Sequence, residues 1–597
     1  MTVVEKLIEL RALMAERGID VYMIPTSDFH ETEYVGEHFK ARYFMSGFSG
    51  SQGTLVVCKD QAALWTDGRY FIQAAKQLKG SGIELMRMGE EGVPTIVSYI
   101  YDHICEHGGF GFDGRVMNTK LAASICAKLS EKQVRIICHE DLVDKIWKDR
   151  PALPKDPAFF LKECYSGKST ADKLADILAV MKKKQATHHI VTTLDDIAWI
   201  LNMRGNDIAH FPVVLAYLII TENKHHLFVD RSKLSQELLD NFAQNEIELH
   251  PYDAVYEFVK TIPKTAVVMM DKAHVNYAIS ENLKQVSKII DCSNPSQMMK
   301  AIKNPVELEN NRKAHIKDGV AMTKFMYWLK TNVGKMEISE ISASDYLAEL
   351  RAQQEGFLDV SFDTIAAYKE HAAMMHYSAT KESDVLLKPE GMLLVDSGGQ
   401  YLEGTTDITR TFVLGAISDE ERLHFSAALR GHIALSKAHF LYGCRGTNLD
   451  ILARGPLWEM GIDYKCGTGH GVGHLLNVHE GPNGFRWRIV SERNDSCVLE
   501  EGMTQSNEPG VYVEGSHGIR HENECVVVKG EKNEYGQFMH LETITFVPFD
   551  LDGIDPDVLS SYEKQWLNDY HQEVYEKISP YLTEEEKTWL KQATRAI

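Results

Sequence analysis

The sequence predicts an α/β (α+β) protein of several domains, with its chemistry gathered in the C-terminal half. Three observations carry this. The chain has 597 residues, too many for one core when a domain holds roughly 100–200. Apolar strand-like runs alternate with helical stretches through the N-terminal half, and a proline-rich stretch interrupts them. Five residues able to hold metal then stand in tight local motifs: Asp396, Asp407, His470, Glu508 and Glu522.

The first block covers 1–150. A helix over 3–17 ends at Gly18 and leads into the strand VYMIP (21–25). The strands GTLVVC (53–58) and AALWTD (62–67) follow, then a helix opening at RYFIQAAKQL. WKDRPALPKDP (147–157) reads as a linker. The second block, 151–298, repeats the plan loosely. RYFMSGF (42–48) echoes ILNMRGN (200–206), and AALWTDGR (62–69) echoes HLFVDR (226–231). The echo suggests an internal duplication. A third block, 299–550, begins where Asn304, Pro305 and Glu307 make a good helix start, running to about Lys330. After Phe549 the tail, 551–597, has helical spacing with aromatics on one side and should pack on the body.

Composition excludes some partners. Apolar content of 44% and charged content of 25% suit a globular protein. The net charge of -21 argues against nucleic acid, whose backbone needs clustered Lys and Arg. The longest obvious apolar run, Val213 to Ile220, is far short of the ~18 residues that span a bilayer. The N-terminus carries Glu5, Glu9 and Glu16, unlike a signal peptide. Ten scattered cysteines without a CxxC read as free thiols of a cytoplasmic protein.

The five metal-capable residues have bland readings when taken singly. Asp396 ends the run MLLV and Asp407 lies eleven residues on, across a turn-rich stretch. The two runs should pair as a hairpin, and an Asp-turn-Asp pair is often only solvated. His470 stands among Gly467, Gly469, Gly471 and Gly473, which reads as a loop where backbone approaches a ligand. Glu508 precedes the turn pair Pro509-Gly510. If GIRHEN is a strand, Arg520 and Glu522 share one face and His521 faces away. Jointly, four carboxylates and one imidazole form a hard, oxygen-rich set. That set suits two divalent ions of the manganese, cobalt or zinc kind.

In this order and these contexts the motifs resemble the pita-bread metallopeptidases, a group that includes methionine aminopeptidase, prolidase and aminopeptidase P. The whole chain is similar to the long, three-domain cytosolic aminopeptidase P (Xaa-Pro aminopeptidase) family. YFMSGFSGSQGT and WTDGRYFIQAAKQ carry the likeness in the first block, DDIAWILNMRGND in the second, and GTTDITRTF with NVHEGP in the third. The resemblance implies two creatinase-like N-terminal α/β domains, a pita-bread catalytic domain and a C-terminal helical extension. It implies that Asp396 binds one metal, Asp407 and Glu522 bridge both, and His470 and Glu508 hold the other. Glu508 would also be the general base. His376 and His479 match substrate-side histidines, which would serve catalysis and substrate binding. Arg520 and Arg69 match substrate-side arginines, Arg69 reaching a neighbouring active site. The cofactor would be two divalent ions per chain, manganese first, with cobalt or zinc as alternatives. The substrate would be a peptide with proline second, and the assembly a homodimer.

Two positions depart from the family pattern. Cys466 stands where a histidine is usual, which touches the proline pocket and offers a soft ion an inhibitory ligand. His521 stands where an apolar residue is common. His474 is a further imidazole to which the pattern gives no role. The nearest alternative activity is a prolidase, cleaving only Xaa-Pro dipeptides, although prolidases usually carry one N-terminal domain. Creatinase-like relatives lack the metal ligands. A catalytically silent binding protein on the same scaffold would have lost ligands, and all five are present.

Overall fold

The computed structural model describes residues 1–490 and 495–597. The chain divides into two compact units. Met1–Leu161 and Lys168–Ser296 make one, and Lys162–Gly167 with Gln297–Ile597 make the other.

The N-terminal unit holds two six-stranded mixed sheets of one plan. The first runs in the order 84–87, 62–66, 54–58, 21–25, 109–111, 135–137. The second runs 247–250, 225–229, 216–221, 188–191, 267–270, 288–291. In both, the outer pair at the first edge is parallel, the next two pairings are antiparallel, and the last two are parallel. The duplication heard in the sequence is therefore present as topology. The strands Ala62–Thr66 and His225–Val229, which carry one echo, hold the same place in their sheets. The other echo is not matched in structure: 42–46 lie in the helix Ala41–Ser46, whereas 200–206 run from the end of helix Leu194–Leu201 into the strand Met203–Arg204.

A further echo escaped the sequence reading. Asp113 and Asn118 match Asp271 and Asn276 at equal spacing. Each asparagine caps a helix, Asn118 accepting from Leu121 N at 2.8 Å and Asn276 from Ile279 N at 3.1 Å. The two cap segments bridge one another, with Thr119 N donating to Val275 O and Tyr277 N to Met117 O. The repeats thus meet across their equivalent caps.

The C-terminal unit begins with helix Pro305–Asn332, started as expected. Asn304 Oδ1 accepts from Val306 N and Glu307 N, and Glu307 returns a bond to Asn304 N. Its apolar residues Met322, Phe325, Met326 and Leu329 pack with Leu393, Val395, Ile408 and Phe412 of a three-stranded sheet. That sheet has the order 365–368, 392–397, 408–413. A six-stranded sheet follows, in the order 439–441, 536–543, 523–533, 504–507, 469–471, 480–485. Helices Ser561–Ile578 and Glu584–Ala593 form the tail. Leu567, Tyr570, Val574, Ile578 and Leu590 are buried in one cluster with Phe425, Ile519 and Phe549, so the tail completes the core. Among the described residues no helix is long and apolar enough to cross a membrane. All ten cysteines are free.

Candidate metal centre

The five candidate ligands come from the two sheets of the C-terminal unit. Strand Met392–Ser397 pairs antiparallel with Ile408–Val413, setting Asp396 opposite Thr409 and Ser397 opposite Ile408. The hairpin forms as expected and brings Asp407 beside the end of the first strand. His470 lies in a strand, Gly469–Gly471, and not in the loop its glycines suggested. Those glycines answer to close packing. A Cβ on Gly469 would lie 2.0 Å from Ser506 O, and one on Gly471 would lie 2.1 Å from Glu480 O. Glu508 follows strand Thr504–Asn507, and its N–H donates to Thr468 O at 2.8 Å. Glu522 links the strands His517–Arg520 and Asn523–Asn533, and its N–H donates to Thr409 O.

These side chains converge. Ligand atoms of Asp407, His470 and Glu522 lie within 4.8 Å of one another. His470 Nε2 is 3.4 Å from Asp407 Oδ2 and 3.3 Å from Glu508 Oε1. His470 Nδ1 lies 2.9 Å from Gly471 O, a contact only a protonated Nδ1 can make. That contact fixes the ring so that Nε2 faces the carboxylates. Asp396 joins through Arg520, whose Nη2 donates to Asp396 Oδ2. Arg520 Nε donates to Thr409 Oγ1, and Thr409 Oγ1 donates to Glu522 Oε2 at 2.7 Å.

The arrangement fits divalent cations. Asp396 Oδ1 and Glu522 Oε1 are buried without a hydrogen-bond partner. Such an atom carries a desolvation cost unless something positive faces it. Burial pushes Asp407 well above its ordinary value, with further push from Asp396 and Glu508. Burial does the same to Glu522, helped by Asp407 and Glu508. Carboxylates that repel one another in a dry site are stabilised by a shared cation.

The other candidates also have places. The His479 ring stands over His470, centroids 4.3 Å apart and nearly perpendicular. The neighbouring Glu480 is buried and held by Lys303 and Lys300. His376 is half-buried and follows Met375, whose carbonyl is 3.5 Å from Arg520 Nη2. Arg520 also donates to Tyr512 OH at 2.7 Å, so its guanidinium is anchored beside Asp396. Arg69 belongs to the N-terminal unit, where Asp67 holds it in a two-point contact.

The two departures read simply. Burial, with the charge of Glu508, pushes the Cys466 thiol up to about 11, so the free side chain keeps its proton at neutral pH. His521 faces away from the candidate ligands, although it lies just past the strand His517–Arg520 rather than in it. Its Nε2 meets Phe425 O, its ring packs edge-on against Phe425, and burial with Arg410 lowers it to about 3. His474 ties Asn311 Oδ1 to Tyr165 O.

Two residues at the site were missed in the sequence. Glu524 Oε1 accepts from Asp407 N at 2.7 Å. His315, on the long helix, lies 3.1 Å from the same oxygen, although out of line for a hydrogen bond.

Comparison with known proteins agrees with this geometry. The creatinase/prolidase N-terminal domain matches residues 6–146 and, in a second form, 149–307. Metallopeptidase family M24 matches 309–529, and the C-terminal region of peptidase M24 matches 537–597. Aminopeptidase P2 of Arabidopsis thaliana is 39% identical over 99% of this chain and 88% of its own length. A probable Xaa-Pro aminopeptidase P of Laccaria bicolor is 38% identical over 97% of this chain and 91% of its own. The crystal structure of X-prolyl aminopeptidase from Caenorhabditis elegans, a cytosolic enzyme with a di-nuclear active site, superposes with a TM-score of 0.95. It is 32% identical, with full coverage of both chains. Full-length likeness to these relatives places the chain in the aminopeptidase P family of M24 metallopeptidases, as a hydrolase.

Proposed function

We propose that this chain removes the N-terminal residue from peptides with proline in second position. The observation that supports this best is the convergence of Asp396, Asp407, His470, Glu508 and Glu522 in one buried, cation-demanding site. Asp407 and Glu522 would bridge two divalent ions, Asp396 would complete one, and His470 with Glu508 the other. Manganese is the first choice, because oxygen donors predominate. When bound, the ions supply an activated water and polarise the scissile carbonyl.

The chain's own residues divide the remaining work. Glu508 accepts the proton of the attacking water and passes it to the departing proline nitrogen. His479 and His376 donate hydrogen bonds where negative charge builds on the carbonyl oxygen. Arg520 holds Asp396 in place, and Arg69 contributes to substrate binding. Proline has no N–H, so the pocket can receive its ring without offering an acceptor there. The four blocks, 1–150, 151–298, 299–550 and 551–597, are the domains of this reading, and a cytoplasmic homodimer is its assembly.

Turnover of Xaa-Pro-Yaa and Xaa-Ala-Yaa peptides with added manganese tests the proposal. Proline substrates should be cut much faster, and a chelator should stop the reaction. Equal rates on both series would overturn it. Cleavage confined to Xaa-Pro dipeptides would favour a prolidase instead.

A further inference from the structure

A second group of metal-capable side chains lies in the second repeat of the N-terminal unit. His226 is on strand His225–Val229, and Glu248 and His250 are on strand Ile247–His250. The strands are parallel neighbours, with His226 opposite Glu248 and Phe228 opposite His250. Side chains alternate along a strand. Glu248 and His250 therefore share a face, and His226 rises on that face from the next strand.

The donor atoms converge. His226 Nδ1 is 3.0 Å from His250 Nε2 and 3.6 Å from Glu248 Oε2. His250 Nε2 is 3.9 Å from the same oxygen. Ligands ~2.0–2.2 Å from a tetrahedral zinc lie about 3.3–3.6 Å from one another. Small rotations of these side chains reach that spacing. Burial, then the neighbouring His250, lowers the pKa of His226, which favours the neutral ring a metal requires. Moving the shared proton to an outer ring nitrogen frees both facing lone pairs without changing the charge on either ring.

The surroundings hold the rings in place. Phe258 packs 4.6 Å from His226 and 5.4 Å from His250, and Phe228 stacks on His250 at 4.8 Å. The Glu248 side chain is 43% exposed, which leaves a mouth for water as a fourth ligand. Lys224 Nζ rests on Glu248 Oε2 at 2.7 Å, and being 55% exposed it can swing away. The bland alternative is a solvated charge pair beside two packed histidines. Two inward-facing nitrogens and one carboxylate oxygen within 4.8 Å weigh against it.

We propose that His226, Glu248 and His250 bind a nitrogen-preferring divalent ion of the zinc class, clipping the edge strand Ile247–His250 to its neighbour. The donor set differs from the oxygen-rich centre described above, so the two sites prefer different ions.

The test uses the full-length protein, stripped with chelator and titrated with zinc alone. The double variant His226→Ala/His250→Ala should bind one zinc fewer than the parent. Its manganese-dependent peptidase rate should be unchanged. In the parent, zinc should slow hydrogen exchange of the 247–250 amides, and in the double variant it should not. Equal zinc counts in the two proteins would overturn the site. Glu248→Gln, at an exposed position, should weaken the zinc in question at least tenfold, and unchanged affinity would also overturn it. Lys224→Ala should tighten binding several-fold by removing the competing cation.

Discussion

The backbone N–H of Asp407 donates to Glu524 Oε1 at 2.7 Å, so this candidate ligand is fixed from behind by a second buried carboxylate. Glu524 is fully buried, and its charge, acting against burial, raises the pKa of His315. His315 Nδ1 in turn meets Asn311 O at 2.8 Å. The orientation of Asp407 is thereby tied to the helix Pro305–Asn332. Outer partners of this kind typically contribute 10–100-fold to metal affinity. Glu524→Gln should require ~10–100-fold more manganese for half-maximal activity while nearly recovering the parent rate at saturation. A metal titration of the rate checks this, and an unchanged midpoint refutes it.

His479→Ala and His376→Ala should keep both ions and the fold while turnover falls by ~10²–10³. The perpendicular stacking of His479 on His470 places it over the centre without making it a ligand. Asp407→Ala should lose metal as well as activity. Metal analysis beside the rates separates the two classes. Either histidine variant with full turnover would remove that residue from the mechanism.

Glu31 gives a pH-dependent test in the N-terminal unit. Burial pushes its carboxyl up to about 7. Asp28 adds to that push, while hydrogen bonds from Asn118 and Ser27 and the charge of His274 oppose it. A carboxyl raised on folding costs stability as pH climbs from its unfolded value, near 4.5, through about 7. Below that window the native state holds the proton and the cost vanishes. Glu31→Gln should therefore raise the melting temperature at pH 8 and raise it much less at pH 5, near the start of that window. Thermal melts of both proteins at the two pH values decide it, and a difference that shrinks toward pH 8 reverses the sign.

The sequence marked the five candidates because each sits in a motif of unusual residues, and a hairpin follows from MLLV, a turn-rich stretch and ITRTFV. It marked the repeat because strand ends in Asp-Gly-Arg and Asp-Arg recur at one topological place. It placed the glycines about His470 in a loop, because loops and close sheet packing call for the same residue. Glu524 and His315 were hidden for another reason. Their roles arise from pairing distant segments, the helix from 305 with the strand from 523, and no local pattern records that. The same holds for His226 with Glu248 and His250, which only strand register brings together.

The tail should prove integral to the metal centre, through Arg410 and Tyr570. Arg410 is fully buried and central to this part of the core. Its Nη1 donates to Thr409 O at 2.8 Å and also to Glu522 O. Its Nη2 donates to Asn523 Oδ1 at 2.7 Å, Val547 O at 2.8 Å and Tyr570 OH at 3.0 Å. One guanidinium thus joins the backbone around Thr409 and Glu522 to the helix Ser561–Ile578. Tyr570 OH also accepts from Val547 N at 3.2 Å. Tyr570→Phe removes that oxygen and leaves buried donors short of a partner, a cost of about 1–3 kcal/mol. Arg410→Ala opens a cavity and strands several carbonyls, so it should cost more than Tyr570→Phe. Because Glu522 and Thr409 lose their anchor, metal affinity should fall together with stability. Deleting residues 551–597 should leave no folded, metal-binding catalytic unit, since Leu567, Val574 and Ile578 belong to its core. Denaturant unfolding and metal titration of the three variants check this. A truncated protein that still binds manganese and cleaves peptides would show that the tail merely covers a site complete without it.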